Sequence, residues 1–408
     1  MSVLAHQTGS DPAWCMPRAP RVAARARIAR ALFLRAVRGL PLRVVLPEGA
    51  SAGGGGPGAP VMTIEREAFF HRLAAGGKIG FGEAYMAGDW RADDLSAVLG
   101  AFAARVERLL PGPFQRLRGL YEPRIPADER NTVAGSARNI ARHYDLSNDL
   151  FALFLDPTMT YSAAVFEPGD TLEAAQIRKY DALSGMVGLG PSDHVLEIGT
   201  GWGGFAIHAA SAYGCRVTTA TISQAQAALA RARVAAAGLS DRVEVVLRDY
   251  RSIEGRYSKI VSIEMLEAVG EEYWPVFFAA CDRLLEPGGS IGLQTITMPH
   301  RRYLASRHAY GWIHKYIFPG GLIPSREAID RTLRDASSLR VTDAAEIGRH
   351  YATTLRHWRD RFLAERERVQ ALGFDGTFVR MWEFYLAYCE AGFATGALGN
   401  AQLRLARA

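Results

Sequence analysis

Between residues 195 and 204 the chain reads Val-Leu-Glu-Ile-Gly-Thr-Gly-Trp-Gly-Gly, an apolar run that ends in glycines. A strand that stops in such a turn and hands over to a helix lets backbone approach a nucleotide closely. Gly-x-Gly alone does not separate the cofactor types, because dinucleotide enzymes share it and a tight turn without ligand has the same composition. A second turn, Glu286-Pro287-Gly288-Gly289, precedes another apolar run. Asp249 stands just past a third such run, 243–247, and an acid at the C-terminal end of a strand is where open α/β sheets bind ligands. Other positions have plainer readings. Ser147 is placed to cap a helix over 148–155, and Thr221 suits a strand as a β-branched residue.

The elements that must position these residues follow from periodicity. Strand, helix and strand alternate over 194–198, 205–213, 216–222, 224–237, 243–247, 259–263, 274–285 and 290–296, which predicts a mostly parallel sheet covered by helices on both faces. The last 90 residues read as mainly helical, with Leu355, Trp358, Phe362 and Val369 on one stripe. Upstream, residues 1–20 read as a disordered lead and residues 21–40 as an Ala/Arg/Leu helix. On that helix Phe33, Val37 and Leu40 share a side, and Ile28 and Leu32 fall among arginines. Two β-like runs, 42–46 and 61–64, flank Gly53-Gly54-Gly55-Gly56-Pro57-Gly58, which predicts a flexible hairpin loop. Helical periodicity covers 67 to about 120, and Pro111, Pro113, Pro123 and Pro126 punctuate a linker. The division predicted is therefore a small α+β domain over 21–125 and an α/β domain with helical insertions over 126–408.

The 408 residues carry a net charge of +6, with 49% hydrophobic and 22% charged residues, a globular balance. Eight arginines and one acid, Asp11, fall within residues 1–43, so the positive excess sits on an N-terminal arm over a nearly neutral body. That distribution, with no Pro-Pro-aromatic motif, argues against a nucleic-acid partner. Cys15, Cys215, Cys281 and Cys389 lie far apart, which fits neither a disulfide framework nor a metal site and suits a reducing cytosol. No run of about 18 apolar residues offers a membrane span. The acid-poor arm also has the composition of an organellar transit peptide.

Glu197-x-Gly-x-Gly followed by the Pro-Gly-Gly turn resembles class I S-adenosylmethionine methyltransferases, where the acid helps position the amino acid end of the cofactor. Over about residues 78 to 407 the chain resembles the cyclopropane-fatty-acid synthase family, which includes the mycolic acid methyltransferases. The matching blocks include Gly80–Met86, His143–Asp149, Met159–Ser162, Thr221-Ile222-Ser223 with Gln226, Asp249-Tyr250-Arg251, Glu264–Gly270 and Lys315–Gly321. The resemblance implies a Rossmann-like catalytic domain with Tyr161 and Ser162 over the methionine part of the cofactor and Gly199, Gly201 and Trp202 on the loop. It puts Thr221 and Gln226 near the ribose and Asp249 near adenine, with no metal.

It also implies methyl transfer to an isolated double bond of a phospholipid acyl chain. That bond is a weak nucleophile, so it must be aligned with the methyl group away from water, and the cation formed needs aromatic faces and a base. Glu267, Tyr316, Tyr351, Gln294 and the aromatics of Trp382-Glu383-Phe384-Tyr385 are the candidates, although aromatics at helical spacing are more often core. In the best-known bacterial relatives the base is bicarbonate held by Cys, Glu, His, Tyr and backbone near an Ile. Glu267, Tyr351 and Ile296 match, but Ala163 and Gln294 stand at the Cys and His positions. Plant-type and branched-chain-forming relatives depart similarly, and the block 397–402 also resembles theirs. The product is thus a cyclopropane, or a methyl- or methylene-branched chain where the proton leaves a neighbouring carbon. The implied setting is the cytoplasmic face of a membrane, with the arginine arm on anionic lipid and a homodimer as one way of presenting two sites. A non-catalytic lipid-binding relative is the reading from another class.

Overall fold

The computed structural model describes Trp14, Met16, residues 18–105, Pro126, Thr132 and residues 147–407. Prolines 111, 113 and 123 and motif residues 143–146 lie outside these. The chain divides into two compact units, one of residues 1–124, 309–317 and 358–397, the other of 125–308, 318–357 and 398–408. The single boundary read near residue 125 therefore differs from the observed division, in which two later segments group with the N-terminal residues. No described helix is long and apolar enough to cross a membrane.

In the first unit the helix Ala23–Val37 buries Ala26, Phe33 and Val37. Phe33 meets Phe69 edge-on at 5.1 Å, an arrangement that aromatic quadrupoles favour. Trp14, within the stretch read as a disordered lead, packs edge-on against Phe378 at 5.1 Å. Four short strands, β1 (Arg43–Val45), β2 (Ser51–Ala52), β3 (Val61–Ile64) and β4 (Trp90–Ala92), form a sheet in the order β2-β1-β3-β4.

The glycine run is not the hairpin loop that the sequence predicts, because β1 and β3 pair in parallel, Val44 opposite Met62. The hairpin is the shorter β1–β2 pair. A parallel partner requires the chain to cross back, and the glycines line that return. Gly54 and Gly55 N–H donate to the Leu40 and Leu42 carbonyls at 2.9 and 3.1 Å. A Cβ on Gly53, at φ 113°, would lie 2.1 Å from the Leu42 oxygen. The helical periodicity from 67 is likewise divided, into Ala68–Met86 and Leu95–Ala103 with β4 between them. Asp89 fixes that break as a buried acid paired with Arg72 at 3.0 Å.

The second unit is the α/β domain expected. Strands β5 (His194–Ile198), β6 (Arg216–Thr221), β7 (Val243–Leu247), β8 (Tyr257–Ile263), β9 (Leu285–Thr297), β10 (Leu339–Glu346) and β11 (Gly399–Arg407) make one sheet in the order β10-β11-β9-β8-β5-β6-β7. Neighbours from β9 to β7 are parallel, and β11 is antiparallel to both β9 and β10. Successive residues of β5 feed opposite cores. Val195 packs with Leu183, Ala206 and Ala230, and Leu196 with Phe277, Phe278 and Ile329. The two terminal strands are absent from the helical reading of the last 90 residues. β10 is largely exposed and polar, and β11 buries Asn400 and Gln402 as well as leucines, so neither shows apolar alternation.

The crossing at Gly53 yields a stability test. Gly53→Ala should lower the thermal midpoint, with a cost of about 1–3 kcal/mol for the strained backbone and the contact with Leu42. Gly56→Ala, whose Cβ would meet nothing within 4 Å, should leave it unchanged, as differential scanning calorimetry would show.

Candidate active site

Strand order reverses at β5, whose two neighbours are β6 and β8. At such a switch point the loops leaving adjacent strands diverge and open a crevice at their C-terminal ends. Here the crevice is a cavity walled by the ends of β5, β6 and β8 and by the loop at 159–162. Tyr161, Ser162, Glu197, Gly199, Gly201, Trp202, Thr221, Gln226 and Asp249 all line it, so the nine residues singled out for a cofactor come together in one place.

The glycine turn takes its shape from backbone angles that side chains disfavour, φ 102° at Gly199, 52° at Gly201 and 84° at Gly203. Gly204 is required for space: a Cβ there would lie 2.6 Å from the Tyr180 hydroxyl and 2.8 Å from the Thr158 carbonyl. Trp202 is held by its indole N–H donating to Asn148 Oδ1 at 2.8 Å, at the start of the helix Asn148–Phe154. Ser147 caps that helix, as its sequence position predicts. Arg233 ties the wall together, donating to the carbonyls of Trp202, Thr158 and Pro157 at 2.6, 3.0 and 2.9 Å.

Glu197 is buried and accepts from Thr219 Oγ1 at 2.5 Å. Burial pushes its carboxyl up to about 8, against the opposing pull of Thr219 and Lys179. Thr221 donates to Gln226 Oε1 at 2.9 Å, which pairs two residues of the wall. Asp249 is clamped by Arg251 through Nε at 2.8 Å and Nη2 at 2.6 Å. Burial raises its carboxyl, but the bonds and charge of Arg251 outweigh that and hold it below the usual range. Beside it the Tyr250 hydroxyl is buried with no partner among the described residues. The glycine cradle, the acid behind it and this unpartnered hydroxyl fit an adenosyl cofactor with a charged amino acid end. Among the described residues no group of three His, Cys, Asp or Glu could hold a metal ion.

At the end of β8 lie two carboxylates three residues apart. Glu264 lines the cavity at φ 50°, and its Oε1 accepts from Ala163 N at 2.9 Å, Gln294 Nε2 at 2.9 Å and Asn400 Nδ2 at 2.6 Å. Glu267 Oε1 accepts from the Ile296 N–H and from Thr295 Oγ1, and its Oε2 is buried without a hydrogen-bond partner among the described residues. Burial first, then the charge of Glu264, pushes the Glu267 carboxyl up to about 8. Lys179, fully buried, donates to Ser162 Oγ at 2.7 Å; burial brings its ammonium down to about 7 against the attraction of Glu264, Asp156 and Glu197.

Of the remaining candidates, Gln294 joins the Glu264 cluster. Tyr351 is buried near the start of the helix Gly348–Ala364, which is pinned to the segment after Ala163 by Ala164 N–H on Thr354 Oγ1 (3.1 Å) and Phe166 N–H on His350 Nδ1 (3.2 Å). Tyr351 is not among the residues that line the cavity. Tyr316 belongs to the first unit, where its hydroxyl donates to Glu83 Oε1 at 2.8 Å. The aromatics of 382–385 also lie there and are packed as core, apart from half-buried Glu383. Sequence reasoning passed over Glu264, Lys179, Asn400 and Gln402. Glu264 lay inside a quoted motif, but the donors that converge on it come from strands far away in sequence.

Residues 132–403 match the family model described as mycolic acid cyclopropane synthetase. The chain belongs to this family. It is 49% identical over 404 residues to the tuberculostearic acid methyltransferase UfaA1 of Mycobacterium tuberculosis, covering 96% of this chain and 94% of that protein. It is 35% identical over 336 residues to the cyclopropane-fatty-acyl-phospholipid synthase of Escherichia coli, covering 81% and 84%. The crystal structure of mycolic acid cyclopropane synthase CmaA1 complexed with SAH and CTAB superposes with a TM-score of 0.61 at 33% identity, over 66% of this chain and 97% of that one. As a member of the cyclopropane synthetase family, the chain is an S-adenosylmethionine-dependent methyltransferase.

In this methyltransferase the raised carboxyl of Glu267 has a definite sign. Its folded value of about 8 lies above the unfolded value near 4.5, so the stability it contributes is complete below about 4.5 and is lost as pH rises through about 8. Glu267→Gln removes that titration. The melting temperature of the variant should rise relative to the parent chain between pH 5 and 9, by a few degrees at the upper end. A difference that stays flat with pH would mean that Glu267 is not held neutral.

Proposed function

We propose that the chain transfers a methyl group from S-adenosylmethionine to the double bond of an unsaturated acyl chain of a membrane phospholipid. The observation that carries this reading is the convergence of nine cofactor-type residues on one cavity whose wall includes an acid held by three N–H donors. The bound cofactor supplies an electrophilic methyl group on sulfur. The residues of this chain do the rest. The turn at Gly199 and Gly201, with Glu197 behind it, holds the amino acid end, and Tyr161 and Ser162 cover the methionine part. Thr221 and Gln226 serve the ribose, and Asp249 with Arg251 serves the adenine end. Trp202 and Tyr161, packed on Phe151 at 4.8 and 5.2 Å, help to close the wall against water, which would otherwise capture the lipid cation.

Ring closure requires loss of a proton from the new methyl group. Ala163 and Gln294, at two positions where the family resemblance implies bicarbonate ligands, favour a second reading in which a neighbouring chain carbon loses it and a methyl- or methylene-branched chain forms. Incubation with labelled cofactor and unsaturated phosphatidylglycerol liposomes should place label in the fatty acids; label in nucleic acid, or in neither, would reject the proposal. Proton NMR of the recovered esters separates the products, a shielded cyclopropane methylene signal marking the ring and a methyl-substituted vinyl signal the branch.

The membrane contact is assigned to the outer face of the helix Ala23–Val37. Ile28 is 63% exposed and Leu32 39% exposed, on the same face as the exposed Arg25 and Arg35. Apolar side chains flanked by arginines suit an anionic bilayer surface at the cytoplasmic face. Deletion of residues 1–40 would also remove the buried Phe33, Val37 and Leu40, so surface substitutions are the better probe. Arg21→Glu, Arg25→Glu and Arg35→Glu together should weaken sedimentation with anionic vesicles at low salt by about tenfold or more, at about 1 kcal/mol per arginine. Unchanged binding would leave the arginine face without a membrane role.

A further inference from the structure

Three features of Glu264 belong together. Its backbone sits at φ 50°, a region that non-glycine residues seldom occupy, and its N–H donates to the Gln294 carbonyl at 2.8 Å. Its Oε1 gathers the donors of Ala163, Gln294 and Asn400, and Oε2 receives none among the described residues. The side chain forms part of the cavity wall.

The donors are themselves fixed. Gln402 Nε2 donates to Gln294 Oε1 at 3.1 Å and to the Lys179 carbonyl at 3.0 Å, so Gln294 must turn its NH₂ toward Glu264. Two of these donors, Ala163 and Gln294, stand where the family resemblance would seat bicarbonate. A separate anion there would have to take those donors from Glu264 while facing that carboxylate. Like charges at such a site repel strongly, so the residues present do not fit bicarbonate.

We propose that Glu264 is itself the proton acceptor of the reaction, the chain's own carboxylate occupying the position where related enzymes bind a free anion. The assignment rests on the methyl-transfer reading above. A C–C bond forms between the methyl carbon and one alkene carbon as the S–CH₃ bond breaks, its electron pair leaving with sulfur. The other alkene carbon becomes cationic. Glu264 Oε2 then takes a proton either from the new methyl carbon, whose C–H electron pair bonds to the cationic carbon and closes the ring, or from a chain carbon next to the cation, whose C–H pair forms a double bond. The proton passes from the carboxyl to water before the next cycle. Glu267 is not among the residues that line the cavity, and its Oε1 holds the turn at Thr295 and Ile296.

The test uses the full chain with Glu264→Gln and Glu264→Gly, the glycine variant suiting the backbone angle and removing the carboxylate from its donors. Glu264→Gln should bind S-adenosylhomocysteine within about threefold of the parent yet lose about 100-fold or more in lipid methylation, as removal of a general base predicts. The parent should show no bound signal in ¹³C NMR with labelled bicarbonate and no loss of activity in carbon-dioxide-free buffer. Glu264→Gly should bind labelled bicarbonate and recover about tenfold or more of its lost turnover when bicarbonate is added. Turnover of Glu264→Gln within about threefold of the parent would overturn the assignment, as would bicarbonate binding to the parent. Should Glu264→Gln also lose S-adenosylhomocysteine affinity, the glycine variant decides: restoration by bicarbonate supports the proposal and its absence rejects it. Lipid labelling by the parent reports on the methyl-transfer reading separately, because the NMR arm needs no substrate.

Discussion

Two carboxylates in the protein interior, Glu264 and Glu267, set the terms for the second unit. Charge is disfavoured there, and each acid must find donors or hold its proton. One is met by donors from three separate segments, Ala163, Gln294 of β9 and Asn400 of β11. The other takes a backbone and a hydroxyl donor from the end of β9. The register of β11 against β9 places Gln402 opposite Gln294 and Asn400 opposite Ile296, so sheet pairing and acid placement are one requirement. A slip of one residue would turn both amides to the other face and leave Glu264 without two of its supports.

The two ends of the cavity are built by different means. The cofactor end is local and made largely of backbone: a strand, a glycine turn and a helix within residues 194–213, with neighbouring strands adding a side chain each. Its tolerances are steric, as the 2.6 Å approach to Tyr180 at Gly204 shows. The reaction end is assembled from side-chain amides and acids that meet only in the folded sheet. Local construction gives a cofactor site that many folded relatives can share, and distributed construction leaves the chemistry open to change by single substitutions.

This difference explains how much the sequence disclosed. The parallel strands and the glycine turn were legible because an apolar run followed by Gly-x-Gly encodes its geometry within a few residues. Four of the nine residues assigned to the cofactor, Glu197, Gly199, Gly201 and Trp202, come from that one stretch, and the other five line the same cavity from other segments. β11 was missed because Asn400 and Gln402 interrupt its apolar pattern, and those amides are buried to serve Glu264. Glu264 was quoted within its motif and given no role, since neither its backbone angle nor its donors can be read from neighbours in the chain. Tyr316 shows the complementary limit: a matching motif fixes a residue type, but not that its hydroxyl bonds to Glu83.

β11 has a consequence for how the domain assembles. It lies between β9 and β10, which precede it in the chain, so β10 has no partner and β9 only β8 until residues 399–407 arrive. During synthesis the nucleotide-type half, β5 to β8, leaves the ribosome first, and its contacts are short in sequence and quick to form. The acid at the end of β8 waits for its amide from the far end of the domain. The half that carries the glycine turn is therefore made before the amide of Asn400 exists, and closure of the sheet by β11 completes the donor set of Glu264.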